Sequence, residues 1–262
     1  MAKKRPRIVA VANEKGGVGK TAMVINLGAA LVKEGKKVLV VDMDPQHNAT
    51  SGLGIAVEEE RPSIYDVISG ENTASAADAL YSSKWPGLDV LASHPDLAGA
   101  EVELVDAEDR ENRLKNALQP LSASYDVMIL DTPPSLSLLT INVFACATEV
   151  LVPCQTHPYA FNALEDLFDT IFDVQEEINP QLSITGLVPT FFDQRMRVCR
   201  TILDRLRSDE RYRPLLFDVC IRSNVTIAAS ADAGKPVVFY RSTSYGAQDY
   251  KSLAREFLRK AV

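Results

Sequence analysis

The stretch that decides the fold is Lys15-Gly16-Gly17-Val18-Gly19-Lys20-Thr21, which follows the apolar run Ile8–Ala12 and leads directly into an amphipathic segment of helical length. Three glycines let the backbone curl until successive N–H groups face one point. The start of a helix behind them adds partial positive charge, so the place suits a phosphate. The ordinary phosphate-loop pattern asks for a further glycine where this chain has Glu14. The chemistry survives that departure: Lys20 can reach β- and γ-phosphates, and the Thr21 hydroxyl can hold Mg²⁺. Lys15 is a second cation for which the ordinary pattern has no use.

Working outward, the segment Thr21–Glu34 places Val24, Leu27, Gly28 and Leu31 on one helical face, and Gly35 stands where a glycine would end the helix. Short β-branched runs alternate with such helices along the whole chain. Strands are expected at Arg7–Ala12, Lys37–Asp42, Leu88–Ala92, Asp126–Asp131, Glu149–Pro153, Ser183–Val188 and Leu215–Ile221, with a last helix over Tyr245–Lys260. Several strands are continuously apolar, as strands covered on both faces are. The pattern predicts an α/β fold, a doubly wound and mostly parallel sheet flanked by helices, with residues 1–262 forming one domain.

Composition narrows the function. The chain has 262 residues, a net charge of −7, four cysteines and three histidines. No cysteine pair has metal-binding spacing, so reduced thiols are expected rather than a disulfide or metal framework. No apolar run is long enough to span a membrane, and the basic start Met1–Arg7 lacks a signal-peptide core. A cytoplasmic location follows as an expectation. The net charge argues against a constitutive nucleic-acid binder, but Arg195–Arg222 holds eight arginines against four acidic residues, a local +4. That cluster reads either as a surface for nucleic-acid phosphates or as a solvated helix face with local ion pairs.

Two further stretches carry carboxylates. The second expected strand ends in Asp42-Met43-Asp44-Pro45-Gln46-His47-Asn48-Ala49-Thr50-Ser51-Gly52-Leu53-Gly54, which sets acids at the carboxyl end of a strand, where doubly wound sheets bind ligands. The run Val127–Leu130 leads into Asp131-Thr132-Pro133-Pro134. By itself Asp131 is as readily a turn residue as a metal ligand.

Together these motifs resemble the ParA partition ATPases, of the deviant Walker type that also includes MinD, the arsenical-pump ATPases and the nitrogenase iron protein. The heptapeptide from Lys15 to Thr21 is similar to that group's signature loop, and Asp42–Gly54 is similar to the ParA stretch DxDPQGNATSGLG, with His47 in place of a glycine. Ser63–Val67, Gly234-Lys235-Pro236-Val237, Tyr240 and Tyr245-Gly246-Ala247 extend the likeness over nearly the whole chain. The resemblance implies an ATP- and Mg²⁺-dependent ATPase that forms a homodimer with ATP. In it, Lys15 reaches the partner subunit's phosphates, and Gly16, Gly17, Val18, Gly19, Lys20, Thr21 and the Ala22 amide bind the nucleotide. Asp44 orients the attacking water; Thr21, Asp42 and Asp131 serve the Mg²⁺ shell. It further implies nonspecific DNA binding through arginines, here Arg195, Arg197, Arg200 and Arg222, a nucleoid-associated location, and a ParB-like or other adaptor that stimulates hydrolysis. The stretch Ile221-Arg222-Ser223-Asn224-Val225-Thr226 departs from the PRxVR-like pattern of that family, with Arg222 displaced by one place. A MinD-like membrane-cycling regulator is the alternative; it requires a basic amphipathic extension after the last helix, and the chain stops at Val262. The iron-protein alternative requires cysteines flanking the Asp131 region, and none lies between Asp131 and Cys146.

Overall fold

The computed structural model describes residues 5–58, 60–69 and 74–260; Met1–Lys4 of the basic start, Glu59 and the last two residues lie outside them. Among the described residues, β1 (Arg7–Val11), β2 (Val38–Asp42), β3 (Leu80–Ser82), β4 (Leu88–Leu91), β5 (Val127–Asp131), β6 (Glu149–Gln155) and β7 (Ser183–Thr190) form one sheet in the order β3-β4-β2-β5-β1-β6-β7. Every pairing is parallel except β3 with β4. The expected doubly wound, mostly parallel sheet is what the chain forms. No helix among the described residues is long and apolar enough to cross a membrane.

Alternation along each strand feeds two separate cores. Val9 and Val11 of β1, Val38 and Val40 of β2 and Ile129 of β5 face the helices Lys20–Lys33 and Tyr245–Arg259. Ala10, Leu39, Val41, Met128 and Leu130 face the opposite way, toward the helices Leu138–Cys146 and Ala160–Glu177. This period of two explains why the strands read as unbroken apolar runs. At the amino edge, Arg7 locks three elements together. Its Nε and Nη2 donate to the fully buried Glu149 of β6 at 2.7 and 2.6 Å, and its guanidinium lies 3.7 Å from the centre of the Phe257 ring.

Two departures from the sequence expectations have local causes. The edge strand β3 is three residues long, too short to show a period. Leu215–Ile221 is not a strand. Arg213–Leu215 makes a 3₁₀ turn, and the segment then runs beside β7 with only isolated bridges, at Leu187–Leu216 and Phe192–Arg222. The N–H groups of Asp218 and Val219 donate instead to the Glu256 carboxylate, at 2.8 and 3.0 Å, which removes them from any ladder. The segment can press this close only because β7 offers Gly186; a Cβ there would sit 2.3 Å from the Leu215 carbonyl oxygen.

Candidate active site

The chain runs from β1 across to β2 and later returns to insert β5 between them, so the carboxyl ends of these three strands open at one crevice. The glycine loop fills the crevice from β1. Gly17 and Gly19 hold φ of 74° and 94°, a left-handed backbone that a side chain would strain, and Gly19 stands immediately before the helix Lys20–Lys33. Asn13 anchors the loop, donating to the Pro153 carbonyl at 2.9 Å and accepting from the Lys15 N–H at 2.9 Å. From the other side, the Thr190 hydroxyl donates to the Val18 carbonyl at 2.9 Å. Lys20 is buried, its ammonium folded back onto the Asn13 carbonyl at 2.9 Å. Burial lowers its pKa, while the carboxylates of Asp131 and Asp44 act against that. Lys15 is half-buried and reaches Gln155 Oε1, 3.4 Å away at the end of β6.

Asp42 and Asp131 are register partners on β2 and β5, both fully buried. Their situations differ. Asp42 accepts from the Thr50 N–H at 2.8 Å, the Thr50 hydroxyl at 2.7 Å and the Asp44 N–H at 3.2 Å. Burial nevertheless raises its pKa to about 6. Neither carboxylate oxygen of Asp131 has a hydrogen-bond partner. Burial and then the Asp42 charge push its pKa well up, with the Thr21 hydroxyl and Lys20 opposing. A buried carboxylate without donors, next to a threonine hydroxyl and two further acids, fits a hard divalent cation. Thr21 and Asp131 can ligate Mg²⁺, and Asp42, both oxygens of which already accept hydrogen bonds, is placed to serve from behind. Asp44 is 8% exposed and accepts the Gln46 N–H at 3.0 Å, so its carboxylate is held at the crevice rather than sunk beneath it. His47 adopts a left-handed φ of 45°, and its Nδ1 lies 3.0 Å from the Ser51 hydroxyl. The backbone there explains why a glycine would be at ease.

Beside the loop lies an apolar cavity of about 390 Å³, lined by Gly19, Ala22, Thr190, Phe191, Asn224 and Tyr250 among others. Phe191 has a left-handed φ of 51°, and its ring comes within 3.5 Å of where a Cβ on Gly19 would be. A nucleotide with phosphates on the loop would place its base here. Sequence reasoning missed this wall; the only hint is the pair of aromatics, Phe191-Phe192, directly after a strand.

The eight arginines are less uniform than their spacing suggests. Arg195, Arg197 and Arg200 lie exposed at the start of the helix Arg197–Ser208. Arg195 pairs with Asp193 at 2.8 Å, and Arg200 donates to the Gln194 carbonyl at 2.6 Å. Arg205 and Arg211 lie over the rings of Phe161 and Phe168, at 4.3 and 5.2 Å. Arg222 is bound to Asp249. The local charge is real, but several of these guanidinium groups already have partners.

A glycine loop between β1 and a helix, with acids at the ends of β2 and β5, defines a phosphate-loop nucleotide-binding protein. The family model of an AAA domain matches residues 6–184. The chain is 40% identical to the chromosome partitioning protein ParA of Myxococcus xanthus, over 97% of this chain and 88% of that protein. It is also 40% identical to the sporulation initiation inhibitor protein Soj of Bacillus subtilis, over 95% of this chain and 97% of Soj. A Mycobacterium smegmatis structure described as cobyrinic acid a,c-diamide synthase, with bound ATP analogue and magnesium, superposes with a TM-score of 0.84 at 36% identity, covering 97% of this chain and 94% of that one. The chain belongs to the ParA family of partition ATPases.

Proposed function

We propose that residues 1–262 act as one ATP-hydrolysing unit that dimerises with Mg-ATP, binds DNA without sequence preference, and positions a cargo. The observation that carries the reading is the fully buried carboxylate of Asp131, neither oxygen held by a hydrogen bond of normal geometry, next to Thr21 and the glycine loop, which fits a Mg-nucleotide. An ATP analogue and magnesium are bound in the related Mycobacterium smegmatis structure. Lys20 and the loop N–H groups bind and orient the phosphates, and Asp44 holds and orients the attacking water. Thr21 and Asp131, with Asp42 behind them, would hold Mg²⁺, which when bound would supply positive charge to offset that of the phosphate oxygens. Lys15, whose ammonium meets Gln155 alone among the described residues, would turn to the phosphates of a second copy.

Arg195, Arg197 and Arg200 supply the DNA face, since phosphate contacts need only exposed cations. An adaptor protein that stimulates hydrolysis then releases the dimer from DNA, giving a nucleoid-associated protein in the cytoplasm. The test is a DNA titration with ATP, with ADP and without nucleotide. DNA binding is expected with ATP alone and abolished in Lys15→Ala, which keeps some nucleotide binding. Replacing Arg195, Arg197 and Arg200 by Ala lowers the salt slope by about one for each phosphate no longer neutralised. DNA affinity that ignores both nucleotide and salt defeats the reading.

A further inference from the structure

We propose that Arg222 is a positioning residue for the nucleotide: its clamp on Asp249 holds the wall of the base cavity and does not contact DNA. The inference rests on the reading that the cavity beside the glycine loop receives the base of ATP. Asp249 sits on the helix Tyr245–Arg259, and its side chain is 8% exposed. Its carboxylate takes three donors from one residue. The Arg222 N–H reaches Oδ2 at 3.0 Å, Nε lies 3.1 and 3.0 Å from Oδ1 and Oδ2, and Nη2 donates to Oδ1. Backbone and side chain are therefore fixed to the same anchor. The Tyr245 ring covers the guanidinium, with 4.3 Å between its centre and the arginine carbon.

What this clamp fixes is the segment that walls the cavity. Ile221, Arg222, Ser223, Asn224 and Val225 all line it, opposite Gly19 and Ala22 of the phosphate loop. The segment is also tied to the Phe191 turn on the cavity's other side. Phe192 N–H donates to the Ile221 carbonyl and Ser223 N–H to the Phe192 carbonyl, both at 3.1 Å. Beyond it, the Asn224 side chain caps the helix Val225–Asp232, accepting the Thr226 N–H at 2.8 Å. The anchoring helix is itself seated against this second helix at Gly246, where a Cβ would come 2.6 Å from Ile227 Cγ1. Asp249 is thus a rigid reference, and Arg222 transmits its position to the wall. Leaving it for a DNA phosphate would leave a buried carboxylate with only the Arg222 N–H and no countercharge, which is costlier than exchanging a surface ion pair.

The test uses Arg222→Ala, Arg222→Lys and Asp249→Asn in the full chain. ATP and GTP affinities are measured by calorimetry, and DNA affinity at saturating Mg-ATP by fluorescence anisotropy. Loss of a charge-assisted clamp is expected to weaken ATP binding about tenfold in Arg222→Ala. Any discrimination between ATP and GTP in the wild-type chain shrinks, and DNA affinity at saturation stays as in wild type. Arg222→Lys keeps the charge without the two-point fit and falls between wild type and Ala; it also carries the test if Arg222→Ala does not fold. Combining Arg222→Ala with Asp249→Asn adds little to either alone, because the two residues act as one unit. Weaker DNA binding with unchanged ATP affinity overturns the proposal and makes Arg222 a DNA contact. A drop in melting temperature with the base preference intact also overturns it, leaving a purely structural pair. A wild-type chain that binds no ATP would remove the nucleotide reading itself, a different failure.

Discussion

Replacing Asp131 by Asn is expected to stabilise the nucleotide-free protein while ending its response to Mg-ATP. In the folded chain both Asp131 oxygens are buried without a donor, and the Asp42 carboxylate is its register partner. An unsatisfied buried polar group costs about 1–3 kcal/mol, more when charged. The amide is neutral and brings donors to a place already holding two acids. A gain of about 1–3 kcal/mol translates, at about 2–4 °C per kcal/mol for a chain near this size, into a melting temperature higher by roughly 2–12 °C. The pH dependence has a definite sign. Asp42 and Asp131 are both raised from the ordinary value of 3.8, Asp42 to about 6, so the folded state keeps protons that the unfolded state releases. Stability is therefore full below the ordinary carboxylate range and declines as pH rises through about 6 and beyond. The variant should show a shallower decline. Differential scanning fluorimetry between pH 5 and pH 8, with and without Mg²⁺ and ATP, measures both effects. Should Asp131→Asn melt below wild type without nucleotide, or gain as much from Mg-ATP, the carboxylate is structural and the metal assignment fails.

Lys20→Ala should lower ATP affinity by about a hundredfold, two charge-assisted hydrogen bonds' worth, in a titration with Mg-ATP; near-wild-type affinity would mean the loop does not hold phosphates. Asp44→Ala should still bind ATP but hydrolyse it about 10²–10⁴-fold more slowly, and elute as a dimer with Mg-ATP; wild-type turnover would assign the water to another group. Arg7→Ala leaves Glu149 buried and uncompensated, and should cost about 3 kcal/mol in urea unfolding. An unchanged midpoint would show that the Arg7 clamp is incidental to the fold.

The parts of the molecule that were legible in sequence are those where a residue type is dictated by backbone or by burial. Gly17 and Gly19 are glycines because their φ angles are positive, and β2 and β5 read as apolar because both faces are covered. Asp42 and Asp131 could be placed at strand ends, but their adjacency comes from the insertion of β5 between β1 and β2, which no local pattern encodes. Nor could a sequence say that Asp42 has three donors and Asp131 none. Leu215–Ile221 has the composition of a strand and fails to be one because Glu256, far along the chain, takes the N–H groups of Asp218 and Val219, leaving Phe217 and Ile221 to bond β7. The base cavity was hidden for the same reason, since its walls at Phe191 and at Ile221–Val225 meet only through tertiary contacts.

The arginine cluster shows how a charge count divides once partners are known. A DNA contact needs a guanidinium that can exchange its partner at little cost. Arg195 meets that condition although it is paired: its side chain is 86% exposed, and an ion pair with Asp193 in solvent is worth little. Arg197 and Arg200 meet it from their exposed places at the start of their helix. Arg205 and Arg211, laid on aromatic rings, would give up packing as well as cation–ring attraction on turning outward. Arg222 fails the condition outright, because its carboxylate partner is buried and also holds its backbone N–H. Six of the eight arginines thus separate into an exchangeable face and a set held by partners, and Arg207, 56% exposed beside an exposed Asp204, meets the exchange condition as well. A face of so few cations would bind a polyanion weakly in one copy, since affinity rises steeply with each phosphate neutralised. Two copies joined through the nucleotide would double the number of phosphates met, and that steepness is what would let ATP switch DNA binding on.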